Sequence, residues 1–507
     1  MDRETVTEQA DRLVLRLQQS KQRWLQVSIP ERIRYLDHCL HVVKTVAQSW
    51  VEVSCQGKGI DPQSAIAGEE WITGPFAVMR SLRLLIRTLT DGRDGTLRTR
   101  GLRSPHQTAV SVFPHDLFDR LMLMGVKGEV WLQPGCDPEQ GQHWPEEGQV
   151  ALVLGAGNIS AIGPLDVLHQ LFAENRVALL KMNPVNASVG PWIAQLFGRL
   201  HADGFVEIVY GGAELGAYLC QHPGIDTIHI TGSERTHDAI VWGDTPTEQT
   251  HRKATATPKL TKSITSELGG LTPVIVVPGH WSQRDLAFQA RHVASMVVHN
   301  AGFDCVAGKV LVVSQDWPQR EQFLTLMRQQ LQQIPPRKAF YPGTGDRYER
   351  FLAQYPAAEV LGATAAGCIP WTLAEVPPQA GEYALTEEVF CGILAVASLP
   401  THSPDAFLAE AVQFVNETVY GTLSCTVLID APTQKREAMA FEQAIADLRY
   451  GSIGVNIWSG ALFVMPELPW GAFPGHDLAA IGSGRGFVHN TFLLKHPQKA
   501  VVYAPFR

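Results

Sequence analysis

Eight cysteines carry the most reactive chemistry in this chain, and their spacing excludes several uses of it. Cys39, Cys55, Cys136, Cys220, Cys305, Cys368, Cys391 and Cys425 form no C-x-x-C pair, so neither a zinc ribbon nor a thioredoxin-type motif is supported. A thiol outside such patterns is by default a small buried hydrophobe. Its other use is as a nucleophile, which needs a base and oxyanion donors. Other signatures fail. Gly302–Lys309 has the outline of a phosphate loop, but Phe303 stands where a glycine is needed and Val310 follows Gly308-Lys309. There is no H-E-x-x-H, and the 18 histidines show no tight ligand spacing, so no metal is expected. His292 and His299, on an apolar helix, read as structural. No G-x-S-x-G elbow exists. Leu154-Gly155-Ala156-Gly157-Asn158 follows a predicted strand, as a dinucleotide turn does, but its third glycine is missing.

Four other segments stand in a meaningful order. Lys181 lies 23 positions after Asn158, then comes Ile230-Thr231-Gly232-Ser233, then Glu267-Leu268-Gly269-Gly270, then Asn300-Ala301-Gly302-Phe303-Asp304-Cys305. Glu387-Glu388-Val389-Phe390, Val455-Asn456, Pro469-Trp470-Gly471 and Ser483-Gly484-Arg485-Gly486 follow. Together these resemble the aldehyde dehydrogenase superfamily over roughly residues 25–505. The resemblance implies Cys305 as nucleophile, Asn158 and the Cys305 N–H as oxyanion donors, and Glu267 as general base for a hydrolytic water. It implies NAD or NADP as cofactor, with Lys181 at the adenosine ribose, Gly232 and Ser233 at the pyrophosphate, Glu388 at the nicotinamide ribose and Phe390 beside that ring. A helix N-terminus after Ser233 would favour the pyrophosphate independently. The implied reaction oxidises an aldehyde to an acid. A CoA-dependent acylating dehydrogenase or acyl-CoA reductase, and an inactive scaffold that keeps the fold, are the alternatives.

This chain departs from the family pattern at several places. Pro184 stands where many relatives carry an acid that would repel a 2′-phosphate, so NADP is less disfavoured. His237 replaces a glycine of the phosphate turn. Cys391-Gly392 replaces Gly-Pro. Asp304 directly precedes the nucleophile, and a carboxylate turned inward there would oppose thiolate formation unless a positive charge lies close. Ser233 to Glu267 spans 34 positions, longer than usual, and the polar stretch Trp242–Lys259 reads as a surface loop. Phe303, Trp458 and Phe463 are either an apolar substrate lining or core.

The elements that must position these residues are short apolar runs alternating with helical patterns. Strands are predicted at Val150–Leu154, Val177–Lys181, Val206–Tyr210, Thr227–Ile230, Pro273–Val277 and Lys309–Val313. Helices are predicted at Thr5–Gln26, from Ser28 to a stop at Gly57, Gly74–Leu89, Pro164–Ala173, Pro191–Ala202 and Gln283–Val298, with a polar helical region over Pro318–Arg347. An Arg-rich loop is expected to about Leu102. This alternation predicts an α/β fold. With the resemblance, it becomes a two-domain architecture: a Rossmann-type parallel-sheet cofactor domain at 1–266, with a returning segment at about 456–490 and an oligomerisation hairpin at about 120–147. An α/β catalytic domain follows at 267–455, then an oligomerisation tail at 491–507.

Composition fits an enzyme of this kind. The 507 residues are 45% hydrophobic, which excludes a disordered chain, and the net charge of −8 argues against nucleic acid as a partner. No signal peptide or membrane span is read, and a cytoplasmic setting is expected. Val126–Gln133 and Ala500–Ala504 are implied at an oligomer interface. The apolar tail strand would be an unprotected edge in a monomer, so a homodimer or homotetramer is expected.

Overall fold

The alternating pattern forms two α/β units in the computed structural model, which describes residues 3–92, 99–104, 107–115 and 117–507. The first unit comprises Met1–Thr99, Cys136–Leu268 and Val464–Pro497. Among the described residues its main sheet has six strands, in the order Gly484–Arg485, Ser263–Leu268, Thr227–Gly232, Val150–Leu154, Val177–Met182 and Val206–Tyr210. All neighbours are parallel except the first pair. Val150–Leu154 and Val177–Met182 are buried along their whole length, as central strands covered on both faces must be.

Two long N-terminal helices, Arg3–Leu25 and Ile29–Lys58, belong to this unit. Ser28 caps the second by accepting from Glu31 N at 3.4 Å. That helix runs past the expected stop at Gly57 and ends where Gly59 adopts the left-handed conformation (φ 67°). Trp24 anchors the first helix, its ring 4.9 Å from that of Phe205 and 4.2 Å from the buried Arg32 guanidinium.

The second unit comprises Arg100–Gly135, Gly269–Phe463 and Gln498–Arg507. The unit boundary thus falls between residues 268 and 269. The strands Gln107–Phe113 and Lys127–Leu132 pair with each other in this unit, whereas residues from Cys136 onward belong to the first. Among the described residues its sheet has eleven strands: Thr99–Ser104, Gln107–Phe113, Lys127–Leu132, Pro497–Tyr503, Ser452–Val455, Ser424–Leu428, Thr272–Val276, Gly308–Ser314, Ile393–Leu399, Trp371–Val376 and Glu359–Leu361.

Four expectations need correction. The Arg-rich loop ends earlier: residues 93–98 lie outside the described residues, and Thr99–Ser104 is a strand. The polar helical region is broken into Arg320–Gln333 and Thr344–Gln354, because Pro335 and Pro336 supply no amide hydrogens to continue a helix. The Trp242–Lys259 stretch is not a loop. It holds a helix, Pro246–Ala254, capped by Thr245, whose hydroxyl accepts from Glu248 N at 3.2 Å. The cap signature Thr-Pro-Thr-Glu outweighs the stretch's overall polarity. Finally, the tail strand Pro497–Tyr503 is no edge, since it lies between Lys127–Leu132 and Ser452–Val455. The edge-strand ground for self-association is therefore removed.

No described helix is long and apolar enough to cross a membrane, and no described group of His, Cys, Asp and Glu could hold a metal. The position of the tail yields a direct test. Val501 is fully buried there. Val501→Asp is expected to cost more than about 3 kcal/mol, because an unpaired carboxylate enters the core. Urea unfolding reads this, and an unchanged midpoint would contradict the interior placement.

Candidate active site

In the first unit, five of the expected residues gather at the carboxyl ends of parallel strands, where open α/β sheets bind their ligands. Leu154 is in register with Lys181, and Thr231 with Glu267. Gly155 N donates to Lys181 O at 3.1 Å, which ties the turn carrying Asn158 to the end of the neighbouring strand. A Cβ on Gly157 would come within 2.7 Å of Asn183 Oδ1, so the tight turn requires glycine there. Asn158, Lys181 and Glu267 are all buried. Burial pulls the Lys181 ammonium below its ordinary pKa, and the nearby Cys220 opposes this.

Gly232 and Ser233 are exposed. Ser233 caps the helix Glu234–Trp242 by accepting from Thr236 N at 3.3 Å. His237 does not stand at that helix mouth. Its imidazole is fully buried, Nδ1 lying 3.3 Å from Asp238 Oδ1. A polar network underlies the strand ends: Thr231 Oγ1 donates to Asp166 Oδ2 at 3.1 Å, and His229 Nε2 lies 3.6 Å from Asp166 Oδ1.

In the second unit, Cys305, Glu388 and Phe390 come together around a bent backbone. The helix Gln283–Val298 opens with a capping box of Ser282 and Asp285 and ends just before His299. Asn300, Ala301 and Gly302 then all have positive φ, at 49°, 57° and 79°. Asn300 Nδ2 donates to Phe303 O at 2.8 Å and braces the turn. A Cβ on Gly302 would collide with the Cys391–Gly392 backbone. Lys309, a lone cation in an apolar strand, ties the two loops: its Nζ donates to Gly302 O at 2.8 Å and to Cys391 O at 2.7 Å. Burial lowers the Lys309 pKa, against the fields of Cys391, Glu388, Asp304 and Cys305.

Cys305 is partly accessible, whereas Cys39, Cys55, Cys220, Cys391 and Cys425 are buried. Burial pushes the thiols of Cys39 and Cys220 up to about 12 and that of Cys391 up to about 11. Asp304 does turn inward. The Cys305 thiol donates to its Oδ1 at 3.8 Å, and its Oδ2 lies 2.9 Å from His299 Nδ1. Phe390 adopts φ 53°, its ring centroid 5.0 Å from Tyr341 and 6.0 Å from Phe303. Phe303 and Phe463 are buried, while Trp458 is partly accessible and donates to Val306 O at 2.9 Å.

The Glu388 carboxyl fills the space that Gly269 leaves by having no side chain. Its Oε1 is buried without a hydrogen-bond partner among the described residues. Burial pushes this carboxyl up to about 7, against the pull of Lys309 and Arg347. Two neighbours were not legible as such: His299 reads as a structural helix residue, and Lys309 as the end of a failed phosphate loop. The signal for Lys309 was a charge inside an apolar strand.

The chain is similar to known proteins over parts of its sequence and over its fold. Residues 162–345 match the model of the aldehyde dehydrogenase family. The aldehyde dehydrogenase LUC3 of Fusarium sp. is 26% identical over 163 residues, 32% of each chain. The NADP/NAD-dependent aldehyde dehydrogenase PuuC of Escherichia coli is 25% identical over 281 residues, 52% of this chain and 50% of PuuC. The matched segments thus span a third to a half of those relatives. An aldehyde dehydrogenase C mutant from Pseudomonas syringae, solved with NAD+ and octanal, shares the fold with TM-score 0.66 at 17% identity, covering 99% of this chain and 89% of that one. The glyceraldehyde-3-phosphate dehydrogenase GapN of Methanocaldococcus jannaschii, complexed with NADP, has TM-score 0.66 at 14% identity, covering 98% and 93%.

The raised Glu388 carboxyl has a consequence for stability. Its folded value of about 7 exceeds the ordinary 4.5, so the protonated form's stability is fully present below pH 4.5 and is lost as pH rises through 7. Glu388→Gln should therefore match the wild type at pH 4.5 and exceed it at pH 8, by on the order of 3 kcal/mol. Urea midpoints at the two pH values read the difference, and an equal gap at both would refute the buried charge.

Proposed function

We propose that the chain is a member of the aldehyde dehydrogenase superfamily and that it oxidises an aldehyde to a carboxylic acid with NAD or NADP, using Cys305 as nucleophile. The observation that carries this reading is the strained turn at 300–302, which leads to the partly accessible Cys305 thiol; Cys136 and Cys368 are also partly accessible but follow no run of non-glycine residues at positive φ. Positive φ at two consecutive non-glycine residues is costly and is kept where function needs it.

An aldehyde carbon has no good hydride to give until it becomes tetrahedral. The Cys305 sulfur attacks it, forming a thiohemiacetal. The oxygen's developing charge is met by the Asn158 amide and the Cys305 N–H, and one such donor is worth about 3 kcal/mol. The nicotinamide, when bound, supplies an acceptor for the hydride that leaves this carbon. A thioester on Cys305 remains. Glu267 takes a proton from water, which adds to the thioester and releases the acid.

The residues fit the cofactor. Glu388 Oε1 is a buried acceptor lacking a donor, which a ribose hydroxyl would supply. Gly232 and Ser233 are exposed at the start of a helix, where backbone N–H groups favour a pyrophosphate. Lys181 would reach the adenosine ribose, and Phe390 would pack beside the nicotinamide. Pro184, exposed where an acid would repel a 2′-phosphate, leaves both cofactors open. A homodimer or homotetramer is supported by the exposed apolar side chains Leu117, Leu121, Leu123 and Met124.

Cys305→Ala should abolish aldehyde-dependent cofactor reduction while leaving nucleotide binding by calorimetry intact. Glu267→Gln should give a burst of reduced cofactor without steady turnover, as the thioester accumulates. A screen of aldehyde chain length, with both cofactors and with and without CoA, reads these outcomes. Acid formed only as a CoA ester would move the reading to acylating chemistry. Full activity of Cys305→Ala would end it.

A further inference from the structure

The Cys305 thiol sits at one end of a three-residue chain. It donates to Asp304 Oδ1 at 3.8 Å, and Asp304 Oδ2 lies 2.9 Å from His299 Nδ1. We propose that Asp304, held by His299, is the base that takes the thiol proton when Cys305 attacks its carbonyl substrate. This rests on the reading of Cys305 as the nucleophile.

The proton leaves Sγ for the Asp304 carboxylate as the C–S bond forms, while neutral His299 keeps its Nδ1–H donated to the far oxygen of Asp304. The carbonyl π pair moves onto oxygen. A thiol and a carboxylate thus become a thiohemiacetal oxyanion and a carboxylic acid, with the imidazole neutral throughout. Asp304 touches the reacting sulfur and is a catalytic residue. His299 acts through Asp304 and is a positioning residue.

Several features support this use. Asp304 is only 1% exposed and also accepts from Val306 N at 3.3 Å, so its carboxylate is fixed rather than swinging free. A buried carboxylate alone would oppose a thiolate by like charge. The imidazole Nδ1–H on its far oxygen offsets part of that charge, and taking the thiol proton neutralises the rest. The His299 side chain keeps 16% exposure, so its ring bridges the buried carboxyl and solvent. Its ring leans on Trp458 at 4.7 Å, whose Nε1 holds Val306 O, so one anchor serves both ends of the chain.

The backbone explains the meeting. Residues five apart on a regular helix point well away from each other. Three left-handed residues between His299 and Asp304 close the gap. Around the chain, Lys309 lends positive field to Asp304 and Cys305, while Glu388 opposes it from the neighbouring loop with Cys391, Tyr341 and Arg347 close by.

The test is the rate of Cys305 alkylation by iodoacetamide against pH in the full chain, with the modified site identified by peptide mass. At pH 7 the wild type should react fastest. Asp304→Asn should react at least about tenfold more slowly, with its profile moved up by one pH unit or more. His299→Gln, which leaves the carboxylate unmatched, should be slower still. If the carboxylate merely repels, Asp304→Asn would alkylate as fast as the wild type or faster, and the proposal is overturned. Should Asp304→Asn fail to fold, His299→Gln at its partly exposed position decides alone: a profile unmoved from the wild type refutes the Asp304–His299 pairing as the thiol's base. Cys305→Ala separates the two readings. If it abolishes aldehyde-dependent reduction while the other variants keep the wild-type profile, only the base assignment falls; if it stays active, the nucleophile itself is wrong.

Discussion

Everything in the second unit's site depends on holding a backbone where it does not want to be. Asn300 and Ala301 lie in the left-handed region, which costs on the order of 1 kcal/mol or more for each non-glycine residue. The local hydrogen bond from Asn300 Nδ2 to Phe303 O recovers only part of that cost. The rest is offset by Lys309, whose buried ammonium spans two loops by binding the carbonyls of Gly302 and Cys391. Burying that charge is itself expensive, so its two charge-assisted hydrogen bonds hold the loops firmly: losing either would leave the ion uncompensated. Gly302 completes the lock, since any side chain there would force the two backbones apart. The thiol's position is therefore set by a lysine four residues away in sequence and by a loop some eighty residues on.

That constraint also gathers charge into one low-dielectric place. Lys309 and Glu388 are close enough to shift each other, and desolvation is the first cause for both. The cation's field favours the ionised forms of the acids around it, while burial favours their neutral forms. Glu388 ends near neutrality because burial wins. Asp304 differs in having a backbone amide and an imidazole as direct partners, whereas Glu388 Oε1 has none among the described residues. Two acids in one neighbourhood thus have different partners, and different uses follow from that.

Much of the frame was legible because local signals agreed with it. The helix Gln283–Val298 starts and stops where its caps and apolar spacing say, and Val206–Tyr210 was bounded correctly by its apolar run alone. Where the reading failed, information from elsewhere in the chain decided. An edge strand and an interior strand share the same Val-Val-Tyr pattern, and only pairing partners distinguish them. The meeting of His299 with Asp304 was hidden for a related reason. A helical reading places the two on different faces, and the left-handed turn that joins them has only one glycine to announce it. Asn and Ala give little warning of positive φ.

One buried acid joins His237 to the helix Pro246–Ala254, the two features that the sequence resemblance marks as departures. The buried His237 ring contacts Asp238 at 3.3 Å, and Lys253, from the helix within the extra stretch, reaches the other oxygen of Asp238 at 2.6 Å. Asp238 is itself buried, so an imidazole alone would leave its charge poorly matched. The added helix supplies the missing cation, and Lys259 secures its far end on Asp244 at 3.0 Å. With the ring drawn inward, Gly232 and Ser233 stay exposed at the helix start. The buried acid is thus matched from both sides, by the imidazole and by the lysine of the helix Pro246–Ala254.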